Sequence, residues 1–496
     1  MPFDLLLRRA RIYDGSGAQP FLGDVGVEGD RIAAVGLMPN TEARLFIDCQ
    51  GLALAPGFID PHNHAHNEAE GGILNIPQAD NMLRQGVTTL VAGNCGGSPW
   101  PIGEHLDAVS RLGIKQNYAL LVGHGTLRAQ CVTEHNRPAT TDEIAQMRNL
   151  ALRAMDEGVF GMSTGYFPSW VTTDEIVQVS EVIASRGGIY TSHIRNESAG
   201  VLEAVGEALE IGRRAGLPVL ISHIKTWGAL AWDKKDQILG LLEAADDVEV
   251  HGDRYPYTAC FTGVSALIPS GVVEEASRRG GLASLRDPDW QLEVLPAIRE
   301  HIETAGGPEN VFFAPLEPSP DLDGKTLAEV AEAHGASPEK TVIALALRGG
   351  VSCIIHAMRE DNLRDFLAHR LVMFGSDGHL RRPGHGQCHP RNYGTFPRAI
   401  GRYGRDGRLF DMPTAIRKAT GMAADKLRLA GRGYVRQGYF ADLVIFDEEG
   451  LLDTATFKQP HQYPRGVKYV VLNGHLAVDN ERTLPGCYGR VLRRGE

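Results

Sequence analysis

The chain has 496 residues, 43% hydrophobic and 22% charged, with a formal net charge of −11. That balance describes a globular protein long enough to bury a full core without disulfide or metal staples. The excess of acid leaves no electrostatic footprint for nucleic acid, and no run approaches the roughly 18 apolar residues of a membrane span. Residues 1–14 show no signal-peptide core. Seven scattered cysteines in a chain this large argue against a disulfide scaffold and for a cytoplasmic protein. Glycine, at 58 residues, exceeds its usual share of about 7% without any period, which implies many tight turns rather than a fibrous repeat.

In chain order, residues 4–54 read as short strands closed by turn signals. Leu5–Ile12 precedes Asp14-Gly15, Asp24–Val27 precedes Gly29-Asp30, and Arg31–Val35 precedes Gly36. The middle then alternates apolar runs with helix-length periodic segments. Strands are expected at Ala53–Asp60, Val87–Asn94, Tyr118–Gly123, Val159–Thr164, Ile189–His193, Val219–Ile224, Val248–Tyr257 and Leu371–Ser376. Helices are expected at Asp142–Glu157 and Thr173–Arg186, the latter capped by Thr172 or Thr173 with Asp174 and Glu175 in its first turn. Residues 270–350 break the alternation and read as an inserted helical excursion. Strand-like runs return at Tyr434–Val435, Ala441–Phe446 and Val467–Leu472.

Eight strands alternating with helices predict an α/β fold, a (β/α)8 TIM-like barrel over residues 55–430. The two β-rich ends, 1–54 and 431–496, predict one small β-sandwich domain built from both termini.

The polar residues that need explaining follow these strands. The first strand runs into Asp60-Pro61-His62-Asn63-His64 and the second into Asn94-Cys95-Gly96-Gly97. The fifth runs into Ser192-His193-Ile194-Arg195, the sixth into Ser222-His223-Ile224-Lys225 and the eighth into Gly375-Ser376-Asp377-Gly378. In a barrel those ends converge on the mouth where catalytic side chains sit. His, Cys and Asp meeting there form the donor set expected for zinc, and alternation along an extended chain puts His62 and His64 on one side. A single histidine near a strand end is ordinarily a hydrogen-bonded polar residue, and His66, His124, His251, His356, His379, His385 and His389 carry that reading. Cys95 stands between glycines directly after a strand, unlike Cys49, Cys131 and Cys353, which read as small apolar residues.

These motifs resemble the amidohydrolase superfamily and, more narrowly, the N-acyl-D-amino-acid deacylases (D-aminoacylases). The likeness runs over nearly the whole chain: Pro-Gly-Phe-Ile-Asp-x-His-x-His at 56–64, Gly-Asn-Cys-Gly at 93–96, Ser-Thr-Gly at 163–165 and Ser-His-Ile-Arg-Asn-Glu at 192–197. Ser-His-x-Lys at 222–225, Asp-x-Tyr-Pro-Tyr at 253–257, Gly-Ser-Asp-Gly at 375–378 and His-Pro-Arg-x-Tyr-Gly-Thr-Phe at 389–396 complete it. Between His64 and His193 the only lysine is Lys115, ahead of the third strand. A carboxylated lysine after the fourth strand is therefore not available, which argues against dihydropyrimidinase- and dihydroorotase-like members.

The resemblance implies that Cys95, His193 and His223 hold one tight zinc, with a possible second, weaker site at His62 and His64 sharing Cys95. It implies that Asp377 is the acid/base catalyst and that Lys225, Arg391 and Tyr166 hold the α-carboxylate of a small-molecule N-acyl amino acid. A histidine of the His62/His64 pair, when free of metal, could stabilise the oxyanion. Two departures from the family pattern touch the pocket rim: Ala65-His66 replaces an acidic pair, and the segment after Ser-Thr-Gly is shorter. The expected reaction is zinc-dependent hydrolysis of an N-acyl-D-amino acid, with an amidase, dipeptidase or cyclic amidohydrolase of the same mould as the alternative. A metal-free binding scaffold is the reading from a different class, and the intact Cys95, His193, His223 and Asp377 set opposes it.

Overall fold

The computed structural model describes every residue except Met1, Glu68, Glu70, His135 and Tyr166. Eight short strands run parallel and follow one another in chain order: Phe58–Asp60, Val87–Ala92, Asn117–Leu120 (resuming as Val122–Gly123), Gly161–Thr164, Ile189–Ser192, Val219–Ile221, Val250–Arg254 and Val372–Phe374. Each pairs in parallel with the next. A parallel bridge between Asn63 and Gly378 links the segments just beyond the first and the eighth.

Most of these strands are apolar on both sides, as strands covered on both faces are. Strands one, two, three, five, six and eight point one side into a shared cluster through Ile59, Val91, Ala119, Ile189, Leu220 and Met373. Met422, Ala423 and Leu427, from the helix Gly421–Leu427, fill that cluster too. Alternate residues, among them Phe58, Leu90, Tyr118, Met162, Tyr190, Val219 and Phe374, pack outward against the helices. The helix Thr141–Asp156 starts on a full capping box between Thr140 and Glu143, and Thr173–Ser185 is capped by Thr172 accepting from the Glu175 amide.

Strands from both ends of the chain form a single sheet. In order they are Arg482–Thr483, His475–Asp479, Val467–Leu472, Leu443–Phe446, Ala53–Pro56, Phe3–Ile12, Phe21–Glu28 and Arg31–Gly36, with Ala43–Asp48 also pairing with Phe3–Ile12. One face has its own core of Leu5, Leu7, Val25, Val27, Leu54, Leu443 and Ile445. The other, through Val444, Phe446, Val470 and Val478, joins the core around the parallel strands.

Three sequence expectations need correcting. The run Ala53–Asp60 is two strands: Ala53–Pro56 pairs in the terminal sheet, and only Phe58–Asp60 joins the parallel set. The break falls at Gly57, whose amide bonds to the Asp442 carbonyl and whose α-carbon lies against Thr88, where a Cβ would stand 2.3 Å from that side chain. Tyr434–Val435 forms no strand. The insertion is not purely helical, because an antiparallel sheet of Cys260–Gly263, Ser352–Ile355 and Val311–Phe313 underlies the helices Ser270–Arg278, Pro288–Thr304 and Pro338–Arg348. It has a separate core around Leu267, Trp290, Ile298, Phe313 and Val342.

Candidate metal centre and active site

The C-terminal ends of the parallel strands open into a cavity of about 900 Å³. Cys95, His193, His223, Lys225, Asp377 and Arg391 all line it, with Phe261, Ile268 and Val273 contributed by the insertion. Cys95, His223 and Asp377 have left-handed backbones, with φ of 55°, 36° and 49°. Such conformations cost of order 1–3 kcal/mol at a non-glycine residue and persist where the surroundings enforce them. Here the enforcement is visible. The Asp377 amide bonds to the His62 carbonyl at 2.8 Å, and the His223 amide bonds to Asp253 Oδ1 at 2.9 Å. Around Cys95, a Cβ on Gly93 would lie 2.0 Å from the Leu121 carbonyl oxygen, so glycine there lets strands two and three close up beneath the thiol.

Cys95 Sγ lies 3.4 Å from His62 Nε2 and 3.6 Å from His223 Nε2, and His193 Nδ1 lies 2.9 Å from His223 Nε2. Tetrahedral zinc, with Zn–S of about 2.3 Å and Zn–N of about 2.0–2.1 Å, spaces sulfur and nitrogen donors about 3.6 Å apart. The donors fit. Three overlapping groups offer metal-ligating atoms within 4.8 Å of one another: His62, Cys95 and His223; His62, His64 and Asp377; and His193, Glu197 and His223. Burial pushes the Cys95 thiol up, but the charge of His62 and hydrogen bonds from His193, His223 and His62 reverse this and hold it well below 9.0. That shift favours the thiolate, the form that binds metal.

Two carboxylates orient the imidazoles, and neither stood out in the sequence. Asp253, fully buried, lies 3.1 Å from His62 Nδ1. A carboxylate only accepts, so Nδ1 carries a proton and Nε2 is the ring atom turned towards Cys95. Glu197 Oε1 lies 3.0 Å from His223 Nδ1 and accepts from Lys225 Nζ. Both residues sit inside motifs quoted above, but their pairing is a tertiary fact that spacing does not reveal.

Asp377 is the hub of the other half. Its Oδ1 lies 2.9 Å from His64 Nε2, and its Oδ2 accepts from Arg391 Nη1 at 2.6 Å. Burial raises this carboxyl, yet the Arg391 charge, followed by the His223 charge and the His64 hydrogen bond, keeps it well below 3.8. It is ionised and able to accept a proton. Arg391, 1% exposed, stacks over Tyr255 at 4.9 Å. Arg391 Nε and the Tyr255 hydroxyl are buried and have no hydrogen-bond partner among the described residues. Buried donors are normally satisfied, so this pair marks a place for a ligand, and sequence reading missed Tyr255. Lys225 is buried and paired with Glu197, not solvated. Tyr166 lies outside the described residues. Lys115 is held by Asp80 at 3.0 Å, at the start of the third strand and away from the site.

The model of the amidohydrolase family matches residues 45–189 and 282–478. The chain belongs to the amidohydrolase family. It is 38% identical to a D-aminoacylase from Alcaligenes xylosoxydans xylosoxydans, across 99% of this chain and 98% of that protein. Among solved structures, a D-aminoacylase described with a binuclear metal center, one-metal activation and second-metal attenuation matches with a TM-score of 0.86 and 35% identity, covering 99% of this chain and 100% of that one. An N-acyl-D-glutamate deacylase from Bordetella bronchiseptica, complexed with zinc and a phosphonate mimic of the tetrahedral intermediate, matches with a TM-score of 0.86 and 30% identity, covering 99% and 100%.

Proposed function

We propose that this protein is a zinc-dependent hydrolase of N-acyl-D-amino acids, releasing a carboxylate and a free D-amino acid. The observation that carries the reading is the Cys95 thiolate within 3.6 Å of imidazoles from two strand ends, beside an ionised Asp377 paired with Arg391. The D configuration of the substrate rests on the relatives.

In this reading the ring of parallel strands is a (β/α)8 barrel spanning residues 55–430, and the terminal sheet is a β-sandwich domain of residues 1–54 and 431–496. Cys95, His193 and His223 would hold one zinc tightly, and His62 and His64, with Cys95, would offer a weaker second position. A zinc held there would supply Lewis acidity to the amide carbonyl and to a neighbouring water. Asp377 takes the water proton during attack and returns it to the departing amide nitrogen. An imidazole of the His62/His64 pair that is not engaged by metal donates to the developing oxyanion. Arg391 grips the substrate α-carboxylate through its spare Nε, helped by the Tyr255 hydroxyl, while Lys225 adds a point charge. Among the described residues no helix is long and apolar enough to cross a membrane. All seven cysteines are free, which suits a reducing cytoplasm.

A panel of N-acetyl D- and L-amino acids tests the reading. Turnover of D substrates with release of acetate is expected. Turnover confined to L substrates, or to cyclic amides, contradicts it.

A further inference from the structure

His66 occupies a position that the mechanism leaves unused. Its Nδ1 lies 3.0 Å from the Gly93 amide nitrogen. A backbone N–H only donates, so Nδ1 must be the acceptor and the neutral ring carries its proton on Nε2. The contact therefore fixes the tautomer and ties the loop after the first strand to the Cys95 turn. Nε2 stands 3.6 Å from where a Cβ of Gly97 would be, at van der Waals distance from that turn. Among the described residues no acceptor is bonded to it. The ring lies 5.5 Å from that of His64, and His66, Asn67, Gly97 and Phe167 line the same cavity as Cys95 and Asp377.

The placement of this donor decides what it meets. The α-carboxylate grip, at Lys225, Tyr255 and Arg391, belongs to the segments after strands six, seven and eight. His66 and Gly97 follow strands one and two; strand two is four places from strand six, while strand one adjoins strand eight through the Asn63–Gly378 bridge. The Arg391 guanidinium leans over Tyr255, after strand seven, so with its carboxylate held on that side and its amide at the donor cluster, a substrate directs its acyl arm towards His66.

We propose, resting on the deacylase reading, that His66 is a specificity-determining residue whose Nε2–H donates to an acceptor on the acyl arm. Acyl groups with an oxygen beyond the carbonyl are then preferred over alkyl groups of the same length. An alkyl arm would strip water from this donor and return nothing, whereas an oxygen at the same place restores the bond.

The test compares kcat/KM for two isosteric substrates of one D-amino acid, the N-methoxyacetyl and N-butanoyl compounds, with the N-acetyl compound as reference. His66→Asn keeps an acceptor for the Gly93 amide but has no atom at the Nε2 position, so the methoxyacetyl-to-butanoyl ratio should fall about tenfold from wild type. His66→Gln, which returns an amide donor near Nε2, should recover much of the ratio. Comparing ratios removes the intrinsic reactivity of the two acyl groups, and a purely structural role would lower both substrates together. A ratio within twofold of wild type in His66→Asn overturns the assignment. If wild type does not cleave the N-acetyl reference, the deacylase reading itself fails; if it cleaves it and the ratios agree, only the role of His66 fails.

Discussion

Arg391→Ala separates two roles that the structure places on one guanidinium. Nη1 holds Asp377 Oδ2 at 2.6 Å, with the two side chains only 1% and 10% exposed, while Nε has no partner among the described residues. If the free donors grip the substrate α-carboxylate, removing one partner of that desolvated pair costs about 2–5 kcal/mol, which is roughly 30-fold or more in kcat/KM. A substrate amidated at the α-carboxylate has no such contact to lose, so its loss should be several-fold smaller. The other role appears in the pH profile. Arg391 is the leading attraction that lowers Asp377, so its removal raises the pKa of that carboxyl and moves the acid limb of kcat/KM to higher pH for both substrates. The assay is kcat/KM against pH for the free-acid and amidated forms of one N-acetyl-D-amino acid, with the losses compared on the plateau above the acid limb. Equal plateau losses would refute the carboxylate assignment and leave Arg391 acting through Asp377 alone.

Asp377→Asn should lower kcat by about 10²–10⁴ for free-acid and amidated substrates alike, because it removes proton transfer and not binding; steady-state kinetics at saturation checks it. Asp253→Asn should weaken binding of the second metal about 10–100-fold and leave the first equivalent largely in place, since the carboxylate that fixes His62 Nδ1–H becomes an amide able to present the wrong group; competition with a chelating indicator reads both steps. Lys418, under the eighth strand, donates to the carbonyls of His369 and Val372, and burial brings it down from 10.5 to about 7. The folded chain then binds fewer protons than the unfolded chain between those values, so this group makes stability rise with pH across that window. Urea midpoints at pH 7.5 and 9.5 should show that rise in wild type and a smaller one in Lys418→Met.

The donor set was legible in the sequence because parallel strands buried on both faces read as unbroken apolar runs, and their ends then stand out as the first polar residues. His62, His64, Cys95, His193, His223 and Asp377 were found this way, and the structure brings them together. Their supports were not legible. Asp253 meets His62 across 191 residues, and Glu197 is simply another acid near a strand end until Lys225 and His223 are seen against it. The split of Ala53–Asp60 escaped because an apolar run does not say which sheet it joins. Ala43–Asp48 was missed for the opposite reason, since it is a mostly exposed edge strand without the alternation that marks a half-buried one. The strands of the insertion are three or four residues long, too short to outweigh the helical periodicity around them.

The central claim is that a metal held through Cys95 supports hydrolysis of an N-acyl-D-amino acid, and returning zinc to chelator-treated protein tests it most directly. Turnover of one N-acetyl-D-amino acid should be lost on chelation and should return with the first equivalent of zinc. In Cys95→Ala it should stay absent and the zinc should remain unbound, whereas His62→Ala should still take up most of that first equivalent. Wild-type turnover that survives complete removal of metal, or full zinc uptake by Cys95→Ala, would contradict the account.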